Sequence, residues 1–139
     1  NPPKFAVEIS SGGRTKTSVV SGIAISNNPL DNSPVPVAAR LDTGLFGVYV
    51  AESLTTRELL NLALDLFTGK WREHPRVSEA EVSELVLKFP KRKRNALAVV
   101  DGELIKLDQI VHFKMEKGGL AVIRPATLES VSGDQSLSD

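Results

Sequence analysis

Paired glycines and Asp-Gly steps cut most of this sequence into short β-branched runs, and that punctuation limits the fold more than any other feature. Gly12-Gly13 follows a segment in which Phe5, Val7 and Ile9 alternate with Ala6, Glu8 and Ser10, the period-two pattern of a half-buried strand. The dipeptide offers the positive φ of a tight hairpin turn. The return arm, Thr15 to Ser26, carries Val19, Val20, Ile23, Ala24 and Ile25, which suit a strand buried on at least one face. Asn27 to Pro36 is too rich in Asn, Asp, Ser and Pro for a regular element and reads as a loop. Leu45 to Glu52 returns to strand character. Ala96 to Val100, Glu103 to Leu107, Ile110 to Met115 and Leu120 to Ile123 are further β-type runs, separated by Asp101-Gly102, Asp108-Gln109 and Gly118-Gly119. That spacing predicts a meander.

Helical periodicity is confined to one stretch. Leu59, Leu62, Ala63 and Leu66 recur at i, i+3, i+4 and i+7 and so line one face. Thr55 with Glu58 makes a capping-box pattern at the start, and Gly69 supplies a left-handed residue at the end, which predicts a helix over Thr56 to Thr68. Trp71, His74 and Pro75 follow in an extended exit. Ser78 to Glu84 admits a second helix, with Ser78 and Glu81 as another capping box, whereas Val82, Leu85, Val86, Leu87 and Phe89 favour a strand over Ser83 to Phe89. The reading is a mainly β fold, a β-sandwich or barrel with one inserted α-helix.

The chain's 139 residues suffice for a buried core, and seventeen basic against seventeen acidic residues give zero net charge. No overall field recruits nucleic acid or an anionic membrane, so any such partner must meet a local patch. Without Cys there is no disulfide framework, thiolate nucleophile or Cys-ligated zinc, and a reducing compartment is allowed. His74 and His112 read as structural. No apolar run reaches the roughly 18 residues of a membrane span, so the reading is a soluble, cytoplasmic chain, with peripheral membrane association allowed. Opening on Asn1, the chain reads as part of something longer. Residues 1–125 form the domain, and residues 126–139 are a polar, flexible tail.

Four segments are candidates for chemistry. Asp101-Gly102-Glu103 is a type I′ hairpin turn on backbone grounds, yet it also sets two carboxylates at a rigid β corner, from which one can take a proton from a substrate hydroxyl. Arg40-Leu41-Asp42-Thr43-Gly44-Leu45 is either a plain Asx turn or a set of oxygens converging on a hard cation. Asn27 and Asn28 at a strand end either cap their own loop or line a cleft. Lys91, Arg92, Lys93 and Arg94 are either a solvated loop or a patch for phosphates of lipid head groups or nucleic acid. Missing aromatic interleaving speaks against single-stranded nucleic acid.

Taken in order, ISNNPL, ARLDTGLFGVYV, the Thr56 to Thr68 helix, HPRV and VVDGELIKLDQIVHFKMEKGGLAVIRP resemble the C-terminal half of the diacylglycerol kinase catalytic superfamily. That superfamily includes bacterial diacylglycerol and related lipid kinases, sphingosine kinases and ceramide kinase. The resemblance covers about residues 5 to 125. It implies the C-terminal β-sandwich domain of the NAD kinase/diacylglycerol kinase-like fold, paired in the family with an N-terminal α/β domain whose Gly-Gly-Asp-Gly-Thr loop holds the nucleotide. Gly12-Gly13-Arg14-Thr15 lacks the Asp and is only a superficial echo of that loop.

By the same resemblance, Glu103 matches the acid proposed to deprotonate the lipid hydroxyl, with Asp101 and Gly102 shaping its turn. Asn27 matches the family's cleft-facing, cofactor-side Asn. The family's Leu-Asp-Asp-Gly-Leu metal segment reads Leu41-Asp42-Thr43-Gly44-Leu45 here, so Asp42, Thr43 and Leu45 fall on metal positions and one anionic ligand is replaced by Thr43. The implied function is transfer of the ATP γ-phosphate to a lipid hydroxyl, with ATP and Mg2+ serving the full-length parent and neither held tightly by this domain alone. The implied partners are an N-terminal kinase domain and a lipid at the membrane surface, with a homo-oligomer allowed and no nucleic acid. The isolated domain is expected to be inactive, since the groups that cradle a γ-phosphoryl lie elsewhere. A non-catalytic binding or structural module is the alternative.

Overall fold

The computed structural model describes residues 2–31 and 43–116. Its elements are β1 (Phe5–Ser11), β2 (Arg14–Ser26), β3 (Phe46–Glu52), α1 (Thr56–Thr68), a 3-10 turn (Trp71–Glu73), β4 (Val77–Val82), β5 (Glu84–Lys88), β6 (Leu97–Val100), β7 (Glu103–Lys106) and β8 (Ile110–Lys114). Six strands form one antiparallel sheet in the order β4-β3-β2-β1-β5-β8, and β6 with β7 forms a separate two-stranded ribbon. The fold is mainly β and sandwich-like with one inserted helix, as the sequence predicts. No helix among the described residues is long and apolar enough to cross a membrane.

The hairpin of β1 and β2 closes where the sequence places it. Gly12 and Gly13 take φ of 55° and 74°, and Ser11 pairs with Arg14 across the turn. A register shift between Val20 and Gly22 bulges β2, and the Ser21 hydroxyl there accepts the Leu54 N–H at 2.9 Å.

Ser83 alone separates β4 from β5, although these strands lie on opposite sides of β3-β2-β1. On a flat sheet the gap would be about 19 Å, at ~4.8 Å per strand spacing. Two Cα steps reach only about 7 Å. The sheet is therefore rolled until its flanks meet at Ser83, and its concave face encloses the core. Phe46 of β3 lies edge-on to Phe113 of β8 at 6.1 Å, a contact across four strand positions that only a rolled sheet makes. Val7, Val20, Phe46, Val48, Leu85, Leu87 and Phe89 form the buried cluster there, each worth about 1.5–3 kcal/mol of transfer free energy.

Three readings of the sequence need correction, and one is borne out. Ser78 to Glu84 holds no second helix, because Phe46 to Ala51 of β3 pair with Val82 to Val77 and the ladder overrides local propensity. The strand expected over Ser83 to Phe89 is β5. Trp71 does not begin an extended exit but a 3-10 turn, in which Glu73 N–H donates to the Lys70 carbonyl at 3.0 Å. The C-terminal runs do not form a simple meander: among the described residues β7 pairs only with β6, while β8 pairs with β5 and sends Val111 and Phe113, with Met115 just beyond it, against the core.

Helix α1 has the predicted limits and caps. The Thr55 hydroxyl accepts the Glu58 N–H, the Glu58 carboxylate accepts the Thr55 N–H at 2.8 Å, and Gly69 takes φ of 74°. Its expected apolar face is not part of the core, since no helix residue is buried and Leu59 and Leu66 stay exposed. Leu62 and Ala63 are half-buried together with Glu58 and Asp65, and Glu58, Asn61, Leu64 and Asp65 line a shallow cavity with His74 and Pro75. Arg76 pairs with Glu58 at 3.3 Å.

Candidate functional site

The tip of the ribbon carries the first two candidate residues. Val100 pairs with Glu103, leaving Asp101 and Gly102 as a two-residue turn with φ of 49° and 86°. Both values are positive, as a type I′ turn requires, and Asp tolerates that conformation better than a bulky residue. Asp101 and Glu103 are both exposed. Among the described residues neither carboxylate has a hydrogen bond or ion pair, so both are open to an incoming donor.

Asn27 lies just past the end of β2, exposed, with Asn28 half-buried beside it. Ser26 pairs with Gly47 of β3, which puts Asn27 and the Thr43 to Leu45 approach at the same end of that strand pair. The structure thus brings Asn27 and Thr43 to one sheet end. Glu103 sits on the separate ribbon, and no hydrogen bond or ion pair joins it to them among the described residues.

The segment after Asn27 is held by residues that no sequence motif marked. Tyr49 Oη accepts the Leu30 N–H at 2.8 Å. Arg72 donates through Nη2 to the Leu30 carbonyl at 2.6 Å, through Nη1 to the Asp31 carbonyl, and through Nε to Glu79 Oε2 at 2.7 Å. Its guanidinium also lies 4.7 Å from the Trp71 ring centre, and Trp71 meets Tyr49 edge-on at 5.2 Å. Burial works against the charge on Arg72, but the bond to Glu79 and its field outweigh it and hold the group above its ordinary value. At Gly47 a Cβ would meet Tyr49 Oη at 2.7 Å and Pro29 Cα at 3.0 Å, so this glycine lets the segment lie close on the strand. The only sequence signal was a Tyr in a strand and a Trp-Arg pair after a helix.

Of the three metal positions, Thr43 and Leu45 lie among the described residues. Thr43 Oγ1 already accepts the Leu45 N–H at 3.3 Å, and Leu45 offers only its backbone carbonyl. Asp42 lies outside the described residues, as do Leu120 to Ile123 and the tail. Among the described residues no cluster of three His, Cys, Asp or Glu side chains could hold a metal ion. Magnesium, which favours carboxylate oxygens in near-octahedral geometry, finds no such set in Thr43 and Leu45.

The two histidines differ in setting. His74 is buried and its Nδ1 accepts the Arg76 N–H at 3.2 Å, while His112 faces outward from β8. Lys91, Lys93 and Arg94 are exposed and Arg92 half-exposed in the connection from β5 to β6. That connection is not a hairpin loop, because β5 and β6 belong to different sheets.

No family model matches the sequence. Among solved structures, a protein described as a "putative diacylglycerol kinase" from Bacillus anthracis str. Sterne has the same fold, with a TM-score of 0.60 at 13% identity. The match covers 85% of this chain and 39% of that one. A second structure described in the same words, from the same organism, gives 0.52 at 12% identity over 82% of this chain and 36% of its own. The chain thus spans less than two fifths of the length of these two structures and shares the fold of one portion of them.

Proposed function

We propose that this chain is the C-terminal domain of an ATP-dependent lipid kinase of the diacylglycerol kinase type, which supplies the base to a phosphoryl transfer completed by a nucleotide-binding domain. The observation that supports it best is the fold shared over 85% of this chain with a larger protein described as such a kinase. On this reading Glu103 accepts the proton of the lipid hydroxyl as its oxygen attacks the γ-phosphorus, the bond from that phosphorus to the β–γ bridging oxygen breaks, and ADP leaves. The turn of Asp101 and Gly102 holds Glu103 at the ribbon tip, where it has no competing partner. On the same reading Asn27, three residues before the Leu30 that Tyr49 and Arg72 hold, belongs to the nucleotide side of the cleft. On this reading the phosphates and most magnesium ligands come from the other domain, since Thr43 and Leu45 bring no carboxylate.

The test is Glu103→Ala in the longer protein that carries this domain. Loss of a positioned general base lowers kcat by about 10²-fold or more. Undiminished lipid phosphorylation rejects the catalytic role. The 139-residue chain alone is expected to transfer no phosphate. One observation favours a second reading, a non-catalytic binding or structural module: the metal-segment positions Thr43 and Leu45 bring no carboxylate. On that reading Glu103→Ala changes nothing, and neither nucleotide nor magnesium alters the longer protein.

A further inference from the structure

The connection from β5 to β6 and the ribbon it leads into form one surface. Four consecutive cations, Lys91 to Arg94, occupy the connection. The Arg92 guanidinium donates to the carbonyls of Lys93 and Arg94, and among the described residues none of the four side chains has an acidic partner. The loop is clasped to the ribbon, because Ala96 N–H donates to the Lys93 carbonyl at 3.0 Å and Leu107 N–H to the Ala96 carbonyl at 2.9 Å. Leu97 pairs with Lys106 and Val99 with Leu104, so these four side chains share one face of the ribbon. On it Leu97, Val99 and Leu104 are 58%, 67% and 69% exposed. An isolated two-stranded ribbon with so much open apolar surface is marginal in water.

We infer that this loop and ribbon face dock on an anionic lipid surface, the cations meeting phosphates while Leu97, Val99 and Leu104 enter the boundary between head groups and acyl chains. The charge pattern carries the assignment. A chain of zero net charge gathers four unpaired cations, with Lys106, beside an apolar face, which is what a membrane interface complements. Nucleic acid would use the cations but leave the leucines and valine in water. The ribbon is about 13 Å long at ~3.3 Å per residue, so its acidic tip stays near the head-group layer when the loop is bound. This surface goes beyond the kinase reading and stands or falls without it, since binding needs no catalysis.

The test is co-sedimentation of the 139-residue chain with vesicles of phosphatidylcholine alone and of phosphatidylcholine mixed with phosphatidylserine. Binding is expected only to the mixed vesicles and to weaken as salt rises. Lys91→Glu, Lys93→Glu and Arg94→Glu together should weaken it about a hundredfold, each cation contributing about fivefold. Val99→Asp with Leu104→Asp should weaken it with the salt dependence kept. Circular dichroism checks that the variants fold, and the salt series on the unaltered chain decides the charge component if they do not. Equal binding to both vesicle types overturns the inference. So does binding untouched by either set of substitutions, tighter binding to duplex DNA than to vesicles, or a dimer that the aspartates abolish while no vesicle is bound.

Discussion

Tyr49 and Gly47 act together on the segment that follows Asn27, and each gives a separate prediction. Tyr49→Phe leaves the part-buried Leu30 N–H without its acceptor, which costs about 1–3 kcal/mol, read by chemical denaturation. Gly47→Ala forces a methyl against Tyr49 Oη and Pro29 Cα; overpacking of this kind costs about 1–3 kcal/mol. Arg72→Ala should speed amide exchange at Leu30 more than at Val20, which lies in the core away from the clamp. None of this was legible in the sequence. Leu30 and Tyr49 are 19 residues apart, and Arg72 reaches back 41 and 42 residues to Asp31 and Leu30, so no local spacing betrays the contacts. The turn at Asp101-Gly102 was legible because its chemistry is contained in adjacent residues.

Local chemistry likewise explains why α1 is the element read best. Its caps are formed by residues three apart and by a glycine that accepts a left-handed φ. Thr55→Ala should cost about 1 kcal/mol, measured by thermal unfolding. The Thr55 N–H and then the Thr55 hydroxyl hold the Glu58 carboxyl below its ordinary value; desolvation opposes them, and Arg76 adds a smaller lowering. A group lowered on folding stabilises the native state above the unfolded carboxylate range and ceases to do so as pH falls through its own lower value. The stability of the chain should therefore drop on acidification through that range, and Glu58→Gln should flatten that part of the profile followed by circular dichroism. The partners of β4 and β8 were not legible. Ser-Glu-Ala-Glu suits a helix by propensity and becomes a flank strand only because β3 offers it a ladder. Val111, Phe113 and Met115 give the strand period of β8 but not its neighbour, and the buried face of β5 wins over the nearby ribbon.

For the molecule as a whole, the core joins strands from both ends of the chain, so a cavity anywhere in it is felt globally. Leu85→Ala, at a site 1% exposed, should cost about 2–5 kcal/mol and lower the melting point of the entire chain in one transition. The class of fold could be read from the punctuation of the sequence, whereas the grouping of Asn27 with Thr43 needed the register of β2 against β3. The joint at Ser83 has a further consequence. Because one residue ties the two flanks, neither half of the barrel-like wall can settle before the other: Phe46 finds Phe113, 67 positions away, in the same event that seats β1 on β5. Such distant pairings make assembly slow and all-or-none. Deuterium uptake should then be uniformly slow across these six strands, with no flank that opens ahead of the rest.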